Sequence, residues 1–244
     1  MTAITASSVL PAVRTRWSVV TADGFRLHGE TATPERTPPL ATLVCVHPLT
    51  THGGSMESHI FRKMAWRLPA LAGLAVVRVN LRGAGEGAAR SEGEFDSCRG
   101  EGLDLGAILA EVVPGLPDPW LVGWSFGTDV VLRHGNRDPV SGAVLLSPPL
   151  RFSDDGDLDR WAAGGRPLSV LVPEFDDYLR PAEAERRFAR VPQAQIVAVP
   201  GAGHLWVGER NVRIVLNEIV RAVAPAAHPL PTEWSGPMER WTDL

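Results

Sequence analysis

The chain is 244 residues long, 44% hydrophobic and 21% charged, with a net charge of −4. That length supports one large domain or two small ones, and it buries enough surface to fold without a disulfide or metal staple. The negative balance argues against a nucleic-acid-binding face, which needs clustered Lys and Arg. No apolar run reaches the roughly 18 residues of a membrane span, and 24 Gly with 21 Pro stay below low-complexity levels.

In chain order, residues 1–14 carry no periodic pattern and read as a loose leader. They lack a basic segment followed by an apolar core, so no secretory signal is expected and the cytoplasm is the expected compartment. Residues 16–21 and 25–31 flank Ala22-Asp23-Gly24 and predict a hairpin. A Pro-rich stretch at 34–39 precedes an apolar strand at 41–46. Helical spacing of Ile60, Met64, Leu68 and Leu71 predicts a helix over 55–71. A strand at 75–80, a helix at 102–113, a strand at 120–123 and a helix at 125–133 come next. Strands at 141–146, 167–172 and 195–199 and helices at 181–190 and 211–223 complete the pattern, Pro181 opening its helix.

Strands apolar from end to end and separated by helices mean a parallel sheet covered on both faces. The expected fold class is therefore α/β: a doubly wound, mostly parallel sheet with an antiparallel N-terminal hairpin, in one domain over 15–224. Residues 225–244 form a Pro-rich tail with Trp234 and Trp241. It is read either as frayed or as docking on an apolar groove, in this chain or in a second copy. Cys45 and Cys98 make no disulfide framework or CxxC, and Cys45, inside an apolar run, reads as a reduced core residue.

Parallel sheets bind ligands at the carboxyl ends of their strands. After the strand around Leu121 comes Gly123-Trp124-Ser125-Phe126-Gly127, a G-x-S-x-G pattern between a buried strand and a helix, as a nucleophile elbow requires. A serine hydroxyl needs a base, and the base needs an orienting carboxylate. His204 lies in a Gly-rich loop after the last strand. The acids between Ser125 and His204 include Asp176 and Asp177, and beside them Asp154, Asp155, Asp157 and Asp159. Serine, acid and histidine at successive strand ends, in that order, are more specific than the pentapeptide alone. His47, His52 and His59 fit no metal-ligand spacing, and Gly83-Ala84-Gly85-Glu86-Gly87 lacks dinucleotide-loop spacing, so no metal or cofactor is expected.

These segments, with His47-Pro48, Gly53-Gly54-Ser55-Met56, Asn80-Leu81-Arg82-Gly83 and Pro200-Gly201-Ala202-Gly203-His204, resemble the α/β-hydrolases over roughly residues 16–224. The likeness is to small lidless bacterial members similar to dienelactone hydrolases and prolyl-oligopeptidase catalytic domains. The resemblance implies an eight-stranded sheet without a large cap, Ser125 as nucleophile, His204 as base and an acid after the seventh strand. It implies oxyanion N–H groups at Phe126 and, after His47-Pro48, Leu49. Asp176 is favoured because it stands third after Pro173, where the family usually has Gly; Asp177 remains the alternative. His47 is read as packing beneath the oxyanion loop rather than as a metal ligand. Pro48, Trp124, Pro148, Trp161 and Trp206 are the expected substrate-binding residues. With only about twenty residues between the strands flanking 147–166, a shallow site for a small or medium acyl ester or thioester is expected. The other reading keeps the fold without hydrolysis: acyl transfer in natural-product tailoring, or a binding scaffold.

Overall fold

The computed structural model describes residues 1–239. After a two-residue strand β1 (Thr2–Ala3), the chain forms the hairpin β2 (Val13–Val20) and β3 (Arg26–Thr33). Thr21 locks its turn by donating to Asp23 and accepting from the Phe25 N–H. There follow, in order, β4 (Thr42–Val46), α1 (His59–Ala72), β5 (Ala75–Asn80), α2 (Gly100–Ala107), β6 (Pro119–Trp124), α3 (Phe126–His134) and β7 (Gly142–Leu146). Then come α4 (Asp155–Gly164), β8 (Leu168–Phe175), α5 (Pro181–Phe188), β9 (Ala194–Gly203), α6 (Glu209–Val223) and β10 (Glu233–Trp234).

Strands β2 to β9 form one sheet in the order β2-β3-β5-β4-β6-β7-β8-β9. The pairs β2/β3 and β3/β5 are antiparallel and all the others are parallel. The central strands β4, β6 and β7 are almost wholly apolar because both faces are covered. Val44 and Val46 of β4 join the core with residues of α2, α3, α4 and α5, while Leu43 and Cys45 join the core with residues of α1 and α6. Cys45 and Cys98 are free and buried. No described helix is long and apolar enough to cross a membrane.

Two expectations need correction. Residues 1–14 are not loose: β1 pairs with β10, Leu10 N–H donates to the Trp66 carbonyl, the buried Arg67 donates to the Thr5 carbonyl, and Val9 and Leu10 are fully buried. The tail is not frayed over its described part, since Leu230 is buried and its N–H donates to Asn217. Trp241 lies outside the described residues. Half of the segment 147–166 is α4, started by a reciprocal capping box between Asp154 and Asp157. Asp155 and Asp159 pair with Arg190. These four carboxylates therefore serve helix initiation and surface pairing. The segment builds no cap domain.

Candidate active site

The turn from β6 into α3 is forced by Gly123 and Gly127. A Cβ on Gly127 would overlap the Val46 carbonyl oxygen, and one on Gly123 would press on the Gly127 backbone at 2.7 Å. Between them Ser125 takes φ 52° and ψ −121°. A non-Gly residue at positive φ is disfavoured and holds only where its surroundings impose it. Here the Ser125 N–H donates to the Leu146 carbonyl of β7 and Thr128 donates back to the Ser125 carbonyl. The side chain is thereby lifted above the strand ends. Phe126 begins α3, so its N–H has no acceptor within the helix.

His204 reaches Ser125 because β9 runs past its expected end. β8 and β9 stay paired as far as Phe175 and Gly203, across a register shift that begins at Pro173. Proline has no N–H for a regular ladder, and an irregularity is where a sheet tolerates it. The shift leaves Asp176 and His204 as the first residues past two neighbouring strands. The His204 Nδ1–H donates to Asp176 Oδ2 at 2.9 Å, and Nε2 accepts from Ser125 Oγ at 2.9 Å. Asp176 is buried, and its Oδ1 accepts from the Tyr178 and Leu179 N–H groups at 2.8 and 3.2 Å. Burial acts to raise its pKa. The hydrogen bonds from His204, Tyr178 and Leu179 outweigh that and hold the carboxyl below its usual range. Asp177 is exposed.

The loop after β4 carries Pro48 and Leu49 beside the elbow. His47 is fully buried beneath it: Nδ1–H donates to the Pro48 carbonyl at 2.6 Å and Nε2 accepts from the Leu81 N–H at 3.0 Å. Burial lowers its pKa to about 4, so it stays neutral in this role. Leu49 precedes a short helical turn, and its carbonyl accepts from the His52 and Gly54 N–H groups. His59 donates to the Leu205 carbonyl at 2.8 Å, and among the described residues no group of metal-ligating side chains gathers.

The tryptophans do not line the site as expected. Trp161 is fully buried against α3, donating to the Leu132 carbonyl, and Trp206 is fully buried in the core on the α1 and α6 side. Trp124 is also buried, and its indole N–H donates to the His204 carbonyl at 3.2 Å. Pro148 is buried, and Pro48 is half-buried on its loop. The sequence reading missed four residues. Ser147, at φ 51°, donates to the His204 carbonyl at 3.1 Å. Asp129, buried in the first turn of α3, accepts from the N–H and hydroxyl of Ser153 and ties down the loop after β7. Phe152 packs edge-on against Phe126. Tyr178 lies against the His204 ring. A positive φ just past a strand cannot be read from Ser-Pro-Pro. A tyrosine two residues after the acid carries a plainer signal, because it stands at a strand end, where ligand-binding side chains gather.

A cavity of about 640 Å³ opens along residues 53–57 and 83–86, lined also by Trp17, His28, Thr50 and Asn80. None of Ser125, Asp176 and His204 lines it. Asn80 ties its walls together, accepting from the Met56 N–H and donating to the Ala89 carbonyl.

The fold has counterparts among solved structures. An α/β serine hydrolase without a lid from Xanthomonas campestris superposes with a TM-score of 0.71 at 25% identity, over 94% of this chain and 99% of that one. The chain is an α/β-hydrolase superfamily member. An α/β serine hydrolase homologue from Coxiella burnetii gives a TM-score of 0.71 at 23% identity, over 86% and 97% of the two chains. An esterase from Pyrococcus furiosus gives 0.70 at 17%, over 87% and 92%. An uncharacterized protein of Rickettsia prowazekii is 30% identical over 116 residues, which is 46% of this α/β-hydrolase chain and 46% of that protein. No family model matches the sequence.

Proposed function

We propose that the chain is a serine hydrolase that cleaves a small or medium acyl ester or thioester through an acyl-enzyme. The observation that carries this reading is the unbroken chain of hydrogen bonds from Ser125 Oγ through His204 to Asp176, each 2.9 Å long, with the serine held at positive φ. In this reading His204 Nε2 takes the proton as Oγ attacks, and Asp176 fixes the tautomer and stabilises the imidazolium. In the same reading the N–H groups of Phe126, at the N-terminus of α3, and of Leu49, in the loop after β4, receive the developing oxyanion. Similarity to serine hydrolases and esterases supports the reaction class.

The alternative, a non-hydrolytic acyl transferase or a scaffold, rests on the unusual Pro173 and on the tail. Pro173 sits at a sheet irregularity that leaves Asp176 bonded to His204, which favours working machinery over a scaffold. The test is labelling by a fluorophosphonate probe and hydrolysis of p-nitrophenyl acetate and butyrate, with wild type against Ser125→Ala. The variant should lose labelling and about 10⁴–10⁶ in kcat. Retention of more than about a tenth of the turnover would remove Ser125 from the mechanism.

A further inference from the structure

Phe175, Tyr178, Leu205 and Val207 are 53–74% exposed, and all four lie within three residues of Asp176 or His204. Solvent-exposed apolar side chains are ordinary when scattered. These four flank one hydrogen-bonded pair in the sequence, and Tyr178 among them is in ring contact with it. Tyr178 is fixed rather than loose. Its N–H donates to Asp176, its ring lies 4.7 Å from the His204 ring with a 59° tilt, and the Arg151 guanidinium stands 5.9 Å from its ring centre.

The chemistry at His204 says what arrives there. In acylation Ser125 Oγ bonds to the acyl carbon and the ester C–O bond breaks. The proton taken from Oγ passes from Nε2 to the departing oxygen, which leaves as a neutral alcohol. A water later adds its hydroxyl to the acyl carbon and returns its proton to Oγ through the same nitrogen. The departing oxygen must therefore come within hydrogen-bond reach of Nε2. In the serine-hydrolase reading the carbonyl oxygen is taken by the N–H groups of Phe126 and Leu49 rather than by Nε2. The alcohol portion is the part of the substrate directed over the His204 side.

We infer that Tyr178, with Leu205 and Val207 beside His204, is a leaving-group platform, and that the substrate is an ester whose alcohol portion is aromatic or otherwise bulky and apolar. The inference rests on the serine-hydrolase reading and adds the alcohol half of the substrate to it. Tyr178 acts here as a specificity residue through its ring face, on which an aryl group stacks or sits edge-on.

The test compares benzyl acetate with ethyl acetate, whose alcohols have similar basicity, by pH-stat in the full-length protein. Wild type should favour the benzyl ester in kcat/KM by at least about tenfold. Tyr178→Ala should cut that ratio by about three- to tenfold, mostly through KM, whatever loss the two substrates share. Tyr178→Phe should keep the ratio, and the ratio of ethyl butyrate to ethyl acetate should not move in either variant. Should Tyr178→Ala fold poorly, Leu205→Ser is to lower the same ratio. Fluorophosphonate labelling separates the two levels. An unlabelled wild type overturns the hydrolase reading and this inference with it. A labelled wild type whose benzyl-to-ethyl ratio is the same in Tyr178→Ala overturns the inference alone. A change of oligomeric state on sizing with an unchanged ratio also overturns it, and marks the face as an interface between copies.

Discussion

At the scale of single residues, the doubled acid is the sharpest case. Asp176 is buried, accepts three hydrogen bonds and faces His204, whereas Asp177 points to solvent. Asp176→Asn keeps the shape but offers an amide where the imidazole N–H needs a carboxylate, so kcat should fall about 10³–10⁴-fold. Asp177→Asn should change it by less than about twofold. If Asp177→Asn is the dead variant, the acid has been placed one residue off. His47 gives a pH prediction with a definite sign. Its imidazole is held near a pKa of about 4 by burial, against an ordinary value near 6.5. The unfolded chain therefore binds the proton first as pH falls. The stability from neutral His47 is complete above about pH 6.5 and is lost progressively down to about pH 4, roughly 3 kcal/mol in all. Urea midpoints measured between pH 4.5 and 7 should slope less steeply for His47→Gln than for wild type. Equal slopes would mean that His47 does not titrate with folding.

At the scale of elements, the turn after β4 tests how tightly the backbone is set. A Cβ on Gly54 would overlap the Pro48 carbonyl, whereas one on Gly53 meets nothing within 4 Å, although φ there is 82°. Gly54→Ala must therefore push the Pro48-Leu49 backbone, and with it the Leu49 N–H. It should cost up to about 10²–10³ in kcat with a smaller change in KM, as expected for a displaced oxyanion donor. Gly53→Ala should cost about 1–2 kcal/mol of stability and little kcat. Equal effects on rate would show that Leu49 is not a donor. The same elements mark what the sequence could convey. The buried parallel strands and the elbow were legible because apolar runs and paired glycines are local signals. The lengths of β8 and β9 were not, because the pairing of Phe175 with Gly203 depends on two segments 28 residues apart. Trp124 and Trp206 looked like walls because a tryptophan near a strand end carries no sign of which way it turns, and Trp161 did because the segment after β7 carried no sign of which face α4 would bury. In α4, the four aspartates hid a helix start behind what read as spare acids. β1 and β10 are two residues each, too short for any period to show.

At the scale of the whole molecule, the two ends of the chain fasten each other beside α1 and α6. β1 pairs with β10, Ile4 donates to the Thr232 carbonyl, and Leu230 is buried in the core that α1 and α6 share. α4 packs into the core on the opposite face of the sheet. The described tail and the segment between β7 and β8 are thus both used in holding helices to the sheet, which leaves the strand ends around Ser125 without a cap domain. Each buried CH₂ contributes about 0.8 kcal/mol, close to fourfold in kcat/KM, so a deep acyl pocket would show a steep climb with chain length. An open site should plateau by about six carbons. Deleting residues 226–244 should therefore lower Tm by about 4–8 °C, the effect of losing about 2 kcal/mol of burial around Leu230 in a chain of this size. The same deletion should leave the preference for acyl chains of about two to six carbons in place. A p-nitrophenyl ester series from C2 to C16, run on both forms, decides it. If the full chain favours C10–C16 esters and the truncated one loses that preference, the tail covers the site, and the end segments bind substrate as well as stabilising the fold.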